Sequence, residues 1–172
     1  MKTKVKKIII GFVIIVAMVV AFTFILWNNY YRSIWEPLIL ISESKEANEQ
    51  MDYELVKDNC SYYLYRPEVF KYSGNLQVSM FKPFDPNNAE TQLSFGIIIW
   101  PQKDGTFKWG VMIHELVGYN NYVEICSAYF NPNNMKILSN IGNKEKEIFQ
   151  HNQEAIKKLV QNACDFWEIN NK

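Results

Sequence analysis

The stretch Gln92-Leu93-Ser94-Phe95-Gly96-Ile97-Ile98-Ile99-Trp100, with Phe107-Lys108-Trp109-Gly110-Val111-Met112-Ile113-His114 after it, decides the reading of the fold. In the first run Leu93, Phe95, Ile97 and Ile99 alternate with Gln92, Ser94, Gly96 and Ile98. In the second, Phe107, Trp109, Val111 and Ile113 alternate with Lys108, Gly110, Met112 and His114. Successive side chains of a strand point to opposite faces, so a period of two predicts strands with one buried face. Pro101 to Gly105 between them is turn chemistry. Connections this short favour antiparallel neighbours, because a parallel crossover needs a dozen residues or more.

Outward from this pair the pattern repeats. Leu76, Val78 and Met80 alternate with Asn75, Gln77 and Ser79, while Cys60–Tyr65 and Tyr122–Phe130 bring the expectation to about five strands. Asp85-Pro86-Asn87-Asn88, Gly118 to Asn121, and Asn131-Pro132-Asn133-Asn134 separate them as turns. Asn143 reads as a helix N-cap, with Glu145 and Glu147 near the positive end of the helix dipole. Ile148, Ile156, Leu159, Val160, Ala163 and Trp167 form one stripe at helical spacing, and Lys157 and Lys158 face away. The predicted class is α+β: an antiparallel meander over residues 59–172, covered on one face by a C-terminal helix.

The N-terminus reads differently. Ile8–Trp27 is a run of 20 residues in which only Gly11 and Thr23 are not apolar. As a helix it would be about 30 Å long, the thickness of a bilayer's hydrocarbon core. It has no polar face and exceeds the usual length of a signal-peptide core. Its one weak cleavage site, Ala21-Phe22-Thr23, precedes bulky residues, and no Cys follows for lipid attachment. The expectation is a retained signal anchor over 8–27, with 1–7 as a short basic cytoplasmic segment too small for a signalling output. The net charge of zero divides accordingly. Lys2, Lys4, Lys6 and Lys7 make residues 1–27 +4, leaving 14 basic against 18 acidic residues and a charge of −4 on 28–172. Lysines before the span, with only Arg32 close after it, orient the C-terminal domain outside the cytoplasm. Trp27, Tyr30, Tyr31 and Trp35 form an aromatic belt at the outer boundary. Residues 28–58 are expected as a stalk with a juxtamembrane helix: Pro37 stops the membrane helix, and Ala47, Met51 and Leu55 at spacing four suggest a new one capped by Ser42 or Ser44.

Catalytic signatures do not surface. His114-Glu115 begins like a zinc-binding His-Glu-x-x-His, but Gly118 stands where the second histidine belongs, and His151 is on the C-terminal helix. No metal or cofactor is therefore expected. Cys60, Cys126 and Cys164 form no Cys-x-x-Cys; outside the cytoplasm one pair among them could form a disulfide, and spacing does not choose it. There is no Gly-x-Ser-x-Gly and no phosphate loop among seven glycines. The 13 glutamates and five aspartates single out no catalytic pair. A domain of charge −4 without a basic patch argues against nucleic acid. The Lys:Arg ratio of 16 to 2, with abundant Ile and Asn, points to an AT-rich bacterial genome, so the glycosylation sequon Asn59-Cys60-Ser61 is discounted.

One feature stands above background: aromatic and methionine side chains at the parity opposite the core. Tyr63, Tyr65, Phe81, Trp100, Met112 and His114 mark this second sheet face as a candidate binding surface. Tyr, Trp and Met are the types enriched in interface cores. The bland alternative is that the stalk or sheet curvature buries the face internally. The functional expectation is a non-enzymatic, membrane-anchored binding protein of the bacterial envelope, with the bilayer and a protein outside the cytoplasm as partners. That partner would be an incoming toxin, as for an immunity protein, or a secretion or envelope-assembly subunit. The alternative is a small envelope hydrolase using Cys/His or carboxylates.

Overall fold

The structure is a computed structural model describing residues 2–47, 53–80, 92–118 and 121–169. Seven strands form one sheet in strict chain order: β1 Tyr53–Lys57, β2 Cys60–Tyr65, β3 Asn75–Met80, β4 Gln92–Pro101, β5 Phe107–Gly118, β6 Asn121–Asn131 and β7 Lys136–Ile137. Every neighbouring pair is antiparallel. The chain is therefore α+β with a meander sheet, as the alternation predicted, and the described residues hold two strands more than expected. The turn between β4 and β5 follows its sequence: Gly105 takes φ +81, and Asp104 Oδ1 accepts hydrogen bonds from the Thr106 amide at 3.0 Å and hydroxyl at 2.7 Å. Those bonds hold the Asp104 carboxyl below its ordinary pKa.

Strand β1 was hidden behind a helical reading. Leu55, taken at spacing four with Ala47 and Met51, instead lies opposite Tyr62 in β1. Met51 lies outside the described residues. The deciding local signal is Asp58-Asn59, a two-residue hairpin turn with φ +53 and +60. Two consecutive left-handed residues give the turn whose twist matches a hairpin, and Asp and Asn tolerate it.

Register places one apolar side chain from each of five strands in a row: Leu64, Leu76, Ile99, Trp109 and Phe130. All five are buried. Two C-terminal helices, α3 (Asn143–His151) and α4 (Gln153–Trp167), cover this face. The single helix expected from 143 is broken at Asn152, whose side-chain amide donates back to the Ile148 carbonyl at 2.8 Å. Its cap is Gly142, one residue before Asn143; the Gly142 amide donates to Glu145 Oε2 at 2.7 Å. Ile156, Leu159, Val160, Ala163, Phe166 and Trp167 are buried beneath α4, and Tyr62 stacks on Phe166 with ring centroids 4.2 Å apart.

The N-terminal helix α1 (Lys2–Tyr30) is apolar and long enough to cross a membrane, and none of its most apolar stretch is buried. Thr23, its one hydroxyl in the apolar run, donates to the Val19 carbonyl at 2.8 Å, so it presents no unmet polar group. Pro37 does not stop the helix. A π-helical turn, Tyr31–Trp35, leads directly into α2 (Glu36–Ser44), with Pro37 in its first turn. The Glu36 amide bonds five residues back, to Tyr31. The missing N–H of Pro37 thus falls where hydrogen-bond spacing is changing, and a first-turn proline is well tolerated.

The segment 28–44, expected to be a stalk, contributes to the core. Tyr30, Trp35, Leu38, Ile39 and Ser42 are buried. The Trp167 indole donates to Ser42 Oγ at 3.3 Å, and Lys45 donates to the Asp165 carbonyl at 3.2 Å and to that of Phe166. A lysine on the last carbonyls of α4 also opposes that helix's dipole. Helix α2 lies against α4 and β1, so it covers the same sheet face as the C-terminal helices.

Candidate binding face

The opposite face carries no helix among the described residues. Register aligns Tyr63, Gln77, Ile98, Gly110 and Tyr129 across it, with Ser61, Ser79, Gly96, Met112 and Ser127 in the next row. Of the residues expected to mark this face, Tyr63, Tyr65, Trp100, Met112 and His114 are all on it and half-buried. Phe81 lies outside the described residues. Helix α2 does not cover this face, for the reason just given; Tyr30, at the end of α1, reaches its edge.

The members of the face are not one cluster. Tyr63 and Tyr65 stack with centroids 6.1 Å apart on β2. Trp100 sits two strands away on β4, opposite Lys108. His114 lies toward the other end of β5, opposite Ser94 and Glu124, and lines neither cavity described below.

The centre of the face is built by Gly110. A Cβ there would stand 2.8 Å from Trp100 Cζ3 and 3.0 Å from Cη2. The glycine therefore lets the indole lie down on the sheet. Its edge meets the Tyr129 ring at 5.5 Å and 64°, and the Lys108 ammonium lies 3.5 Å from the centre of that ring. Trp100 and Tyr129 together divide two concavities and line both. One, of about 360 Å³, is walled by Ile98, Met112, Ser127, Ser139 and Ile141. The chain after β7 supplies its rim: Ser139 Oγ accepts from the Tyr129 amide at 3.0 Å, and the Leu138 amide donates to the Tyr129 carbonyl at 2.8 Å. The other, of about 620 Å³, is walled by Tyr30, Tyr72, Gly74, Lys103, Asp104 and Lys108.

Sequence reasoning missed Tyr129, Lys103, Lys108 and Tyr72. Tyr129 was detectable, because Cys126, Ala128 and Phe130 are buried and residue 129 must point the other way. Lys103 over the Tyr72 ring, at 3.4 Å, joins two turns 31 positions apart and has no local signature.

The cysteines belong to the other face. Register runs Cys60, Met80, Phe95, Ile113, Cys126. Four strand spacings, roughly 19 Å, separate the first from the last, far beyond disulfide reach. No two of the three cysteines are bonded. Cys60 Sγ instead accepts from the Asn162 amide at 3.4 Å, and the Cys126 thiol faces the Glu145 carbonyl at 3.5 Å. Burial, with Glu145 and Glu124 nearby, pushes the Cys126 thiol up to about 11. A thiol protonated at neutral pH is a small hydrophobe rather than a nucleophile. His151 is exposed at the end of α3, on the helical side of the sheet and away from His114. Among the described residues no three His, Cys, Asp or Glu side chains gather as a metal site.

The face therefore offers apolar and aromatic area, two cations held over rings, and a few hydroxyls. Tyr and Trp in such a setting are types enriched at interface cores. No family model, curated protein or solved structure matches the chain.

Proposed function

We propose that this chain is a single-pass envelope protein that holds a binding domain outside the cytoplasm and recognises a protein partner through its second sheet face. The observation that carries the reading is the Trp100–Tyr129 pair seated over Gly110, between two concavities, on a face that none of the described helices covers. Rigid aromatic anchors beside grooves are what interface hot spots are made of. Support for the location comes from the apolar helix α1 and the lysines that precede the apolar run. The partner classes this design suits are an incoming toxin that the domain neutralises, or a subunit of a secretion or envelope-assembly machine.

Two measurements test the proposal. Alkaline phosphatase fused after Lys172 should be active; an inactive fusion reverses the orientation. A photo-crosslinking residue at Met112 or Tyr129 of the full-length membrane protein should trap one discrete partner, whereas Lys158, exposed on α4, should trap none. The same crosslink pattern at all three positions would remove the second face as the binding surface.

A further inference from the structure

The turn between β2 and β3 carries apolar side chains where turns are usually polar. The Lys71 amide donates to the Glu68 carbonyl at 2.9 Å, which places Val69 and Phe70 at the two central positions. Val69 is 63% exposed and Phe70 48%. Phe70 has φ +63, a left-handed conformation unfavourable for a bulky residue. Polar turn formers such as Asn, Asp or Gly would adopt it without that strain. What the arrangement achieves is a defined position against the N-terminal helix.

Four contacts fix that position. The Phe70 ring lies 6.2 Å from Phe24 and 5.9 Å from Trp27. Tyr72 meets Tyr30 edge-on at 4.7 Å. Gly74, at φ +114, lets the buried Trp35 indole in: a Cβ would be 2.8 Å from its Cζ2. Residues 70, 72 and 74 thus climb the helix in step with 24–27, 30 and 35. Phe24 belongs to the apolar run and Trp27 ends it. The Val69–Phe70 tip is therefore held level with the last turn of the candidate span.

We infer that Val69 and Phe70 form a second membrane contact. They enter the boundary between headgroups and acyl chains beside α1, and they seat this end of the sheet on the bilayer. The occupant is lipid because the tip is continuous with the apolar surface of α1, whose large hydrophobic side chains from Ile8 to Leu26 are exposed. The larger concavity then opens at headgroup level, since its wall begins at Tyr30, one helical turn beyond Trp27. Lys103 and Lys108, which line it, face anionic headgroups there. The inference rests on the membrane-anchor part of the proposed function; it gives the larger concavity to headgroups and leaves the smaller one, beside Trp100 and Tyr129, to the protein partner.

The test uses the full chain in vesicles of phosphatidylcholine and phosphatidylglycerol, with Cys164→Ser removing the less buried thiol. An environment-sensitive fluorophore is placed singly by Val69→Cys, Asn59→Cys or Val16→Cys. Asn59 is in the β1–β2 turn at the opposite end of the sheet. Nitroxide lipids labelled near the headgroup should quench and accompany a blue-shifted emission at position 69. Position 59 should emit as in water, and position 16 should be quenched by nitroxides deep in the acyl chains. If 69 behaves like 59 while 16 is quenched, the seating is wrong and the anchor stands. If 16 is not quenched either, the anchor reading fails and the inference falls with it.

Discussion

Tyr129 and Phe130 are neighbours in the chain and belong to different worlds. Phe130 is 1% exposed and meets Phe149 edge-on at 5.7 Å beneath the helices. Tyr129 is 38% exposed and holds its ring between Trp100 and Lys108. The same division runs through the sheet, separating a face of aliphatic and aromatic side chains packed under three helices from a face with no helix over it among the described residues. A meander makes both faces from one run of chain, so burial on one side leaves the alternating residues to whatever else the molecule does.

The comparison can be broken or sharpened by single substitutions, all measured by denaturant unfolding of the full chain in mild detergent. Phe130→Ala should have the largest effect, destabilising by about 3–5 kcal/mol through a cavity under α3. A loss below about 1 kcal/mol would mean that this face is not the core. Gly110→Ala should cost about 1–3 kcal/mol, since the new methyl displaces the Trp100 indole, and it should also disrupt partner crosslinking from Met112. Full stability with unchanged crosslinking would show that Trp100 does not rest on residue 110.

Alkaline pH should test the burial of the core face next. Burial raises the Cys126 thiol from 9.0 to about 11 and the Tyr62 phenol from 10.0 to about 12. Both groups bind protons more tightly folded than unfolded, so their stabilisation is full below pH 9 and is lost as pH rises through 11 to 12. The unfolding midpoint should fall over that window, and Cys126→Ala should flatten its lower part. A midpoint indifferent to pH between 9 and 11 would contradict the burial of Cys126. Tyr129→Ala should move stability least, by less than about 1 kcal/mol, while weakening partner capture. The reverse outcome, a large loss of stability with capture unchanged, would make Tyr129 a packing residue.

Much of the core face was legible because its signal is local. Leu93, Phe95, Ile97 and Ile99, like Phe107, Trp109, Val111 and Ile113, recur at spacing two, and the stripe from Ile148 to Trp167 recurs at helical spacing. Strand β1 was not legible, because Leu55 fits spacing four from Ala47 and Met51 as readily as spacing two from Tyr53. The tie was broken by the Asp58-Asn59 turn and pairing with β2. The second face was legible as a parity. Its arrangement was not: Tyr63, Tyr65 and His114 share that parity but lie apart from the Trp100–Tyr129 centre, and cross-strand distance is absent from a one-dimensional pattern.

Hydrophobic periodicity and charge by themselves determined the central strands of the meander, the C-terminal helical stripe and the apolar N-terminal span, since each depends on residues within a few turns of one another. Tertiary structure alone decided that the helix continues past Pro37 into the core, and that Cys60 and Cys126 lie too far apart to bond. It also decided that Trp100 lies on Gly110 and that Phe70 rests on Phe24 and Trp27. Those facts join residues distant in sequence. Their free energy resides in packing and register, which exist only once the strands have paired.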